Sequence, residues 1–189
     1  MKPHVALAFV MLATAGCAHH VTFDRPAHYA VAGARQNAGV TVLIDEKTLT
    51  ENVPIRSFIT GAAHEWVVQP GDMLKQIASI ELPQMFTHYD FATSPGKTGS
   101  GHWVTLRLAL PEYKFEDFHA TVAVNADASD DTGKRLLQKT YTAQGEPQGA
   151  KMFWTGVFGM KSAIRQSSLD AFKKVFAELR TDLAAALTR

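Results

Sequence analysis

His64-Glu65 opens a zinc pair of the HExxH kind, in which two histidines one helical turn apart hold the metal and the glutamate serves as base. The second ligand is missing, because the fifth position is Val68. Gly96-Lys97-Thr98 reads like the end of a phosphate-cradling loop, but that loop needs a glycine where the chain has Phe91. His88, His102 and His119 are scattered, each beside an aromatic residue or a strand start, and the adjacent His19-His20 reads as solvated chain. Asp130-Asp131 falls in a turn with Thr132-Gly133, where aspartate is favoured by its bonds to backbone N–H groups. A calcium loop would need further oxygen ligands at regular spacing. No G-x-S-x-G elbow is present. These residue types therefore predict no catalytic set, no metal site and no cofactor.

One thiol remains, Cys17, the only cysteine of the chain. It follows a leader, residues 1–16, with a basic Lys2, an apolar run from Val5 to Ala13 and small residues Thr14-Ala15-Gly16. That run is much shorter than the roughly 20 apolar residues of a spanning helix. The sequence Thr-Ala-Gly-Cys resembles the lipobox of bacterial lipoproteins, with Thr14 where leucine is commonest. The resemblance implies that Cys17 is acylated and becomes the new N-terminus. A secretory leader that ends near a cysteine is the alternative. Ala18 after the cysteine implies, by the sorting logic of those lipoproteins, an outer-membrane protein facing the periplasm.

Loss of Lys2 would bring the 19 basic residues level with the 18 acidic ones, and no basic run exists. Nucleic-acid binding and electrostatic membrane attachment are thereby disfavoured. A single cysteine allows no intrachain disulfide, so a packed core must hold the fold, and 46% hydrophobic residues suffice for one. We expect a tether over residues 17–38 and one periplasmic domain over 39–189.

Within that domain Val40, Val42 and Ile44 alternate as a strand, and AAHEWVVQPGD reads as a short strand with Asp72 as N-cap of a helix. Met73, Leu74, Ile77, Ile80 and Met85 recur at helical spacing, with Pro83 predicted to kink or restart the last turn. Three alternating runs, from Trp103, from Ala120 and from Leu136, predict an antiparallel meander. Ile164, Phe172, Val175, Phe176, Leu179 and Leu183 form the stripe of a closing amphipathic helix. The expected fold is α+β, an antiparallel or mixed sheet packed on one face by two helices, in the order β-β-α-β-β-β-α.

The lipobox, Val40 to Asp45, Trp66 to Leu74, Asp131 to Gly145 and Ser168 to Leu179 together resemble small proteobacterial envelope lipoproteins. These are the YajG-like group and the auxiliary lipoproteins of ABC transporters. The resemblance implies a non-enzymatic binding or adaptor component of an envelope transport or assembly system. Its partners would be the membrane, through Cys17, and an envelope protein or a second copy. A periplasmic carrier of lipid or another hydrophobic ligand is the alternative, and an envelope hydrolase a further one. The stretch holding Met152, Phe153, Trp154, Val157, Phe158 and Met160 is the candidate binding surface. Plugging the open end of the core is the other reading of that stretch, and dipping into the bilayer a third.

Overall fold

The alternating run from Trp103 builds the longest strand, and the rest of the sheet is arranged around it. The computed structural model describes residues 17–23, 29–31, 33–56, 64–94, 102–149 and 157–188. The elements are β1 (Cys17–Val21), β2 (Gln36–Ile44), α1 (Glu46–Thr50), β3 (Val53–Arg56), β4 (His64–Val68) and α2 (Pro70–Met85). They continue with β5 (Phe86–Phe91), β6 (Trp103–Glu116), β7 (His119–Ser129), β8 (Arg135–Gln144) and α3 (Val157–Leu187). A mixed five-stranded sheet has the order β5-β2-β6-β7-β8, and a three-stranded sheet the order β1-β4-β3. Strand β2 is parallel to both β5 and β6, whereas β6, β7 and β8 form the expected antiparallel meander.

Helices α2 and α3 lie on one face of the larger sheet, as the two apolar stripes predict. Val40, Val42, Val104, Leu106, Leu108, Val122, Val124 and Tyr141 meet Leu74, Ile77, Phe172, Phe176, Leu179 and Leu183 there. The three-stranded sheet adds Val21, Ile55, Trp66 and Val68 to the same core. Full burial of side chains this size contributes about 1.5–3 kcal/mol each.

The α+β architecture agrees with the expectation, but the element order is longer. Helix α1 and strands β1, β3 and β5 are additions. Residues 17–38, expected as a tether, contain β1 and the start of β2. Pro70 rather than Asp72 opens α2, with Gln69 as its cap residue, and Asp72 instead binds Gln76 Nε2 at 2.7 Å. Proline suits that first turn because its missing N–H would be unpaired anyway. Pro83 lies inside α2, which runs on to Met85 and passes directly into β5.

Asp45 follows β2 and caps α1, accepting bonds from Thr48 N and Thr48 Oγ1, both at 2.7 Å. Thr48 Oγ1 in turn accepts the N–H of Leu110 at 3.1 Å. That N–H sits at a bulge, where Leu110 and Pro111 face a single residue of β7 and the ladder is interrupted. A buried donor that loses its ladder partner is thus satisfied by the cap of a neighbouring helix.

Candidate interaction surfaces

Cys17 begins β1 and stands opposite His64 of β4 in a parallel register. No free linker separates it from the folded sheet. The segment behind β1 is fastened as well. Tyr29 donates its hydroxyl to Glu81 at 2.7 Å, and Lys173 Nζ lies 4.0 Å from the centre of its ring. Val31 N donates to Gln84 Oε1 at 2.9 Å, and Arg35 Nε to the carbonyl of Phe86 at 2.7 Å. Burial, then the Glu81 bond and charge, push the Tyr29 hydroxyl far above the usual tyrosine range.

Of the stretch singled out in the sequence, Met152, Phe153 and Trp154 lie outside the described residues. Val157 and Phe158 fall in the first turn of α3. Met160 is 2% exposed and belongs to the core, so it is not part of an accessible surface. After β8 the described chain passes the β6–β7 turn. There Asp117 and Phe118 both have positive φ, 47° and 62°, as a tight two-residue hairpin requires. Gln148 N donates to the carbonyl of Phe118 at 2.9 Å. For a residue as bulky as phenylalanine that conformation is strained.

The opposite face of the large sheet carries a row of exposed polar side chains. Arg107, Asn125, Gln138 and Thr140 are exposed on neighbouring strands. They line a cleft of about 580 Å³ with Leu43, Ala109 and Asp127. Thr140 donates to Asn125 Oδ1 at 2.7 Å, and Arg135 stands 3.7 Å from Asp127. At one end of this face, a side chain on Gly39 would meet the Trp103 ring at 2.7 Å. The indole therefore lies across the glycine and stacks with His88 at 6.3 Å. The sequence signal for this face was the Thr105/Arg107 side of the β6 alternation, which marks an outward row without saying what it does.

Among the described residues, no group of three His, Cys, Asp or Glu side chains could hold a metal ion. Asp130 organises its turn: its Oδ1 accepts from Thr132 Oγ1, Thr132 N and Lys134 N at 2.6–2.9 Å. The Thr132 hydroxyl bond, with the two backbone bonds, holds the carboxyl below its ordinary range. Gly133, at φ +86°, completes the reversal.

Asp182 of α3 receives Lys139 Nζ and the Tyr141 hydroxyl, each at 2.8 Å, and so ties β8 to the helix. Lys139 first, then Tyr141, lower the Asp182 carboxyl below its ordinary range. A depressed carboxylate stabilises the fold above its unfolded-state pKa, and that contribution disappears as pH falls through the folded value. Asp182→Asn should therefore lower the urea midpoint at about pH 7 and make no difference at about pH 2. An equal loss at both pH values would show that charge plays no part in this contact.

The chain is thus a mixed α+β domain, with a second, smaller sheet sharing its core. In fold it is similar to the protein XCC0632 from Xanthomonas campestris, of the family DUF330, with a TM-score of 0.54 over 92% of this chain and 99% of that one. At 12% identity the likeness is one of fold alone. The protein CT253 from Chlamydia trachomatis aligns at TM-score 0.38 and 11% identity, over 79% of this chain and 99% of that one, too loosely to carry an argument. No family model matches the chain, and no curated protein does. Among the described residues, no helix is long and apolar enough to cross a membrane.

Proposed function

We propose that this protein is a lipoprotein of the bacterial cell envelope that works by binding, as an adaptor in an envelope transport or assembly system. The observation that carries the reading is the position of Cys17, directly after an apolar leader and itself the first residue of a strand. Acylation there would set the domain against the bilayer with almost no slack. More than one acyl chain gives stable anchoring where one alone is marginal. Outer-membrane residence facing the periplasm is part of the proposal, on the strength of Ala18. The open sheet face around Arg107, Asn125 and Gln138 is the docking surface that such an adaptor needs.

Expression of the full chain with an alkyne palmitate analogue tests the anchor. The wild type should incorporate label and sediment with outer membranes, and Cys17→Ser should lose both label and sedimentation. An unlabelled wild type that fractionates as a soluble protein would overturn the proposal.

The carrier reading is favoured by one observation, the cleft of about 580 Å³ with Leu43, Ile44 and Ala109 in its wall. That volume lies within the range of small-molecule sites. Native mass spectrometry should then find a co-purified lipid that Ala109→Trp excludes, and a ligand-free spectrum would dispose of this reading.

A further inference from the structure

The outer edge of β8 is built differently from the other sheet edges among the described residues. Exposed edges invite pairing with another chain, and proteins blunt them with proline, bulges, charge or short length. Strand β3 carries Pro54, β1 has 5 residues, and β5 has 6 with the charged Asp90 as its fifth. Strand β8 has 10 residues and no proline. Its one irregularity is confined to Leu136, at its start. Its two charges are turned onto its own molecule, Arg135 toward Asp127 at 3.7 Å and Lys139 onto Asp182 at 2.8 Å.

The hydrogen-bond phase of the edge follows from the register. Gly145 N donates to the carbonyl of Ala120, and Thr121 stands opposite Gln144. Antiparallel pairs alternate between bonded and non-bonded. Residues 137, 139, 141 and 143 therefore aim their backbone groups at β7, and residues 138, 140, 142 and 144 aim theirs outward. The carbonyl of Gln144 bears this out, since it accepts Lys174 Nζ at 3.0 Å instead of a β7 donor. Gln138, Thr140 and Thr142 are exposed, with their backbone groups directed away from the sheet.

We infer that this edge pairs with the β8 edge of a second copy, antiparallel and centred on Thr140, to make one continuous sheet across two protomers. Self-pairing suits the strand's own sequence. In this register Gln138 faces the second copy's Thr142, Leu137 faces its Ala143, and Lys139 faces its Tyr141. No like charges stand opposite each other. Lys139 Nζ already lies 4.7 Å from the centre of its own Tyr141 ring, so the contact across the two-fold axis repeats one the strand makes by itself. Shifting the centre to Lys139 would oppose two ammonium groups, which costs stability. The pairing is isologous and closes at two copies, leaving no edge at that side of either sheet.

Sedimentation velocity of the full chain in a density-matched detergent tests the inference. The wild type should sediment as a dimer whose fraction rises with concentration. Thr142→Pro should abolish the dimer and leave the circular dichroism spectrum unchanged. It removes an outward N–H, and the Thr142 side chain makes no hydrogen bond among the described residues. The register is read by two double variants that differ in one side chain. Gln138→Lys with Thr142→Lys opposes like charges and should yield monomer, whereas Gln138→Lys with Thr142→Glu opposes unlike charges and should keep the dimer. A wild type that is monomeric at every concentration overturns the inference. So does an assembly indifferent to Thr142→Pro, or one that treats the two double variants alike.

Discussion

Gly145→Ala should cost roughly 3 kcal/mol of folding stability, the upper end of what overpacking a well-filled site does. The added Cβ would stand 1.8 Å from the Ser167 carbonyl oxygen and 2.5 Å from its hydroxyl. Because the nearest atom is helix backbone, no rotamer change relieves the contact. The glycine also serves a junction. Gly145 N donates to the carbonyl of Ala120, and Ser167 Oγ accepts the N–H of the same residue at 2.8 Å. Gly145, just past strand β8, and helix α3 therefore satisfy both backbone groups of one buried residue of β7, and moving the helix to admit a methyl breaks that arrangement. For a chain of this size the expected drop in Tm is roughly 6–12 °C. Gly133→Ala is the control, with nothing within 4 Å of its Cβ and only the cost of a φ of +86°. It should lose about 1 kcal/mol. Equal losses at the two sites in urea unfolding would mean that backbone freedom, not the close approach, explains Gly145.

Glu81→Leu is the second large effect. The Glu81 side chain is 3% exposed and takes Arg180 Nη1 at 3.2 Å, from a guanidinium side chain that is itself 22% exposed. Removing one member of a buried pair leaves the other uncompensated, which costs 3–5 kcal/mol. The partial exposure of Arg180 places the expectation at roughly 3 kcal/mol. Its sharper form is a comparison: replacing both members, Glu81→Leu with Arg180→Met, should recover most of the loss, because no buried charge is stranded. The single variant should also speed amide exchange at Val31, since the Tyr29 hydroxyl loses its acceptor. Additive losses in the double variant would show that the pair is not coupled.

How much of this the sequence disclosed depends on how local each signal is. The β6–β7–β8 meander was legible because its strands are long, adjacent in the chain and joined by recognisable turns, with Asp130 and Gly133 marking one of them. The α3 stripe was legible for the same reason, since its period repeats over many turns. The short strands were not. Strand β1 pairs with β4 and β5 with β2, in parallel, so neither has a hairpin partner next to it in sequence. Asp45 looked like the end of a strand and proved also to be the cap of a five-residue helix too short to show a period. Met160 packs in the core, as the plugging reading of its stretch expects, although Gly156 and Gly159 suppress the helical pattern around it. The outward face of the sheet gave only polarity, and polarity names no partner.

Arg165 Nε donates to the carbonyl of Thr22 at 2.6 Å, across 143 positions of the chain. The strand that begins at Cys17 is thus closed down by the helix that comes last. Contacts between such distant positions pay the loop-closure entropy before they return any stability, and they slow folding. While the chain emerges N-terminus first, β1 waits without its final contact until α3 has arrived. A chain truncated before α3 would leave that first strand, and whatever is attached to it, on an open and incomplete core.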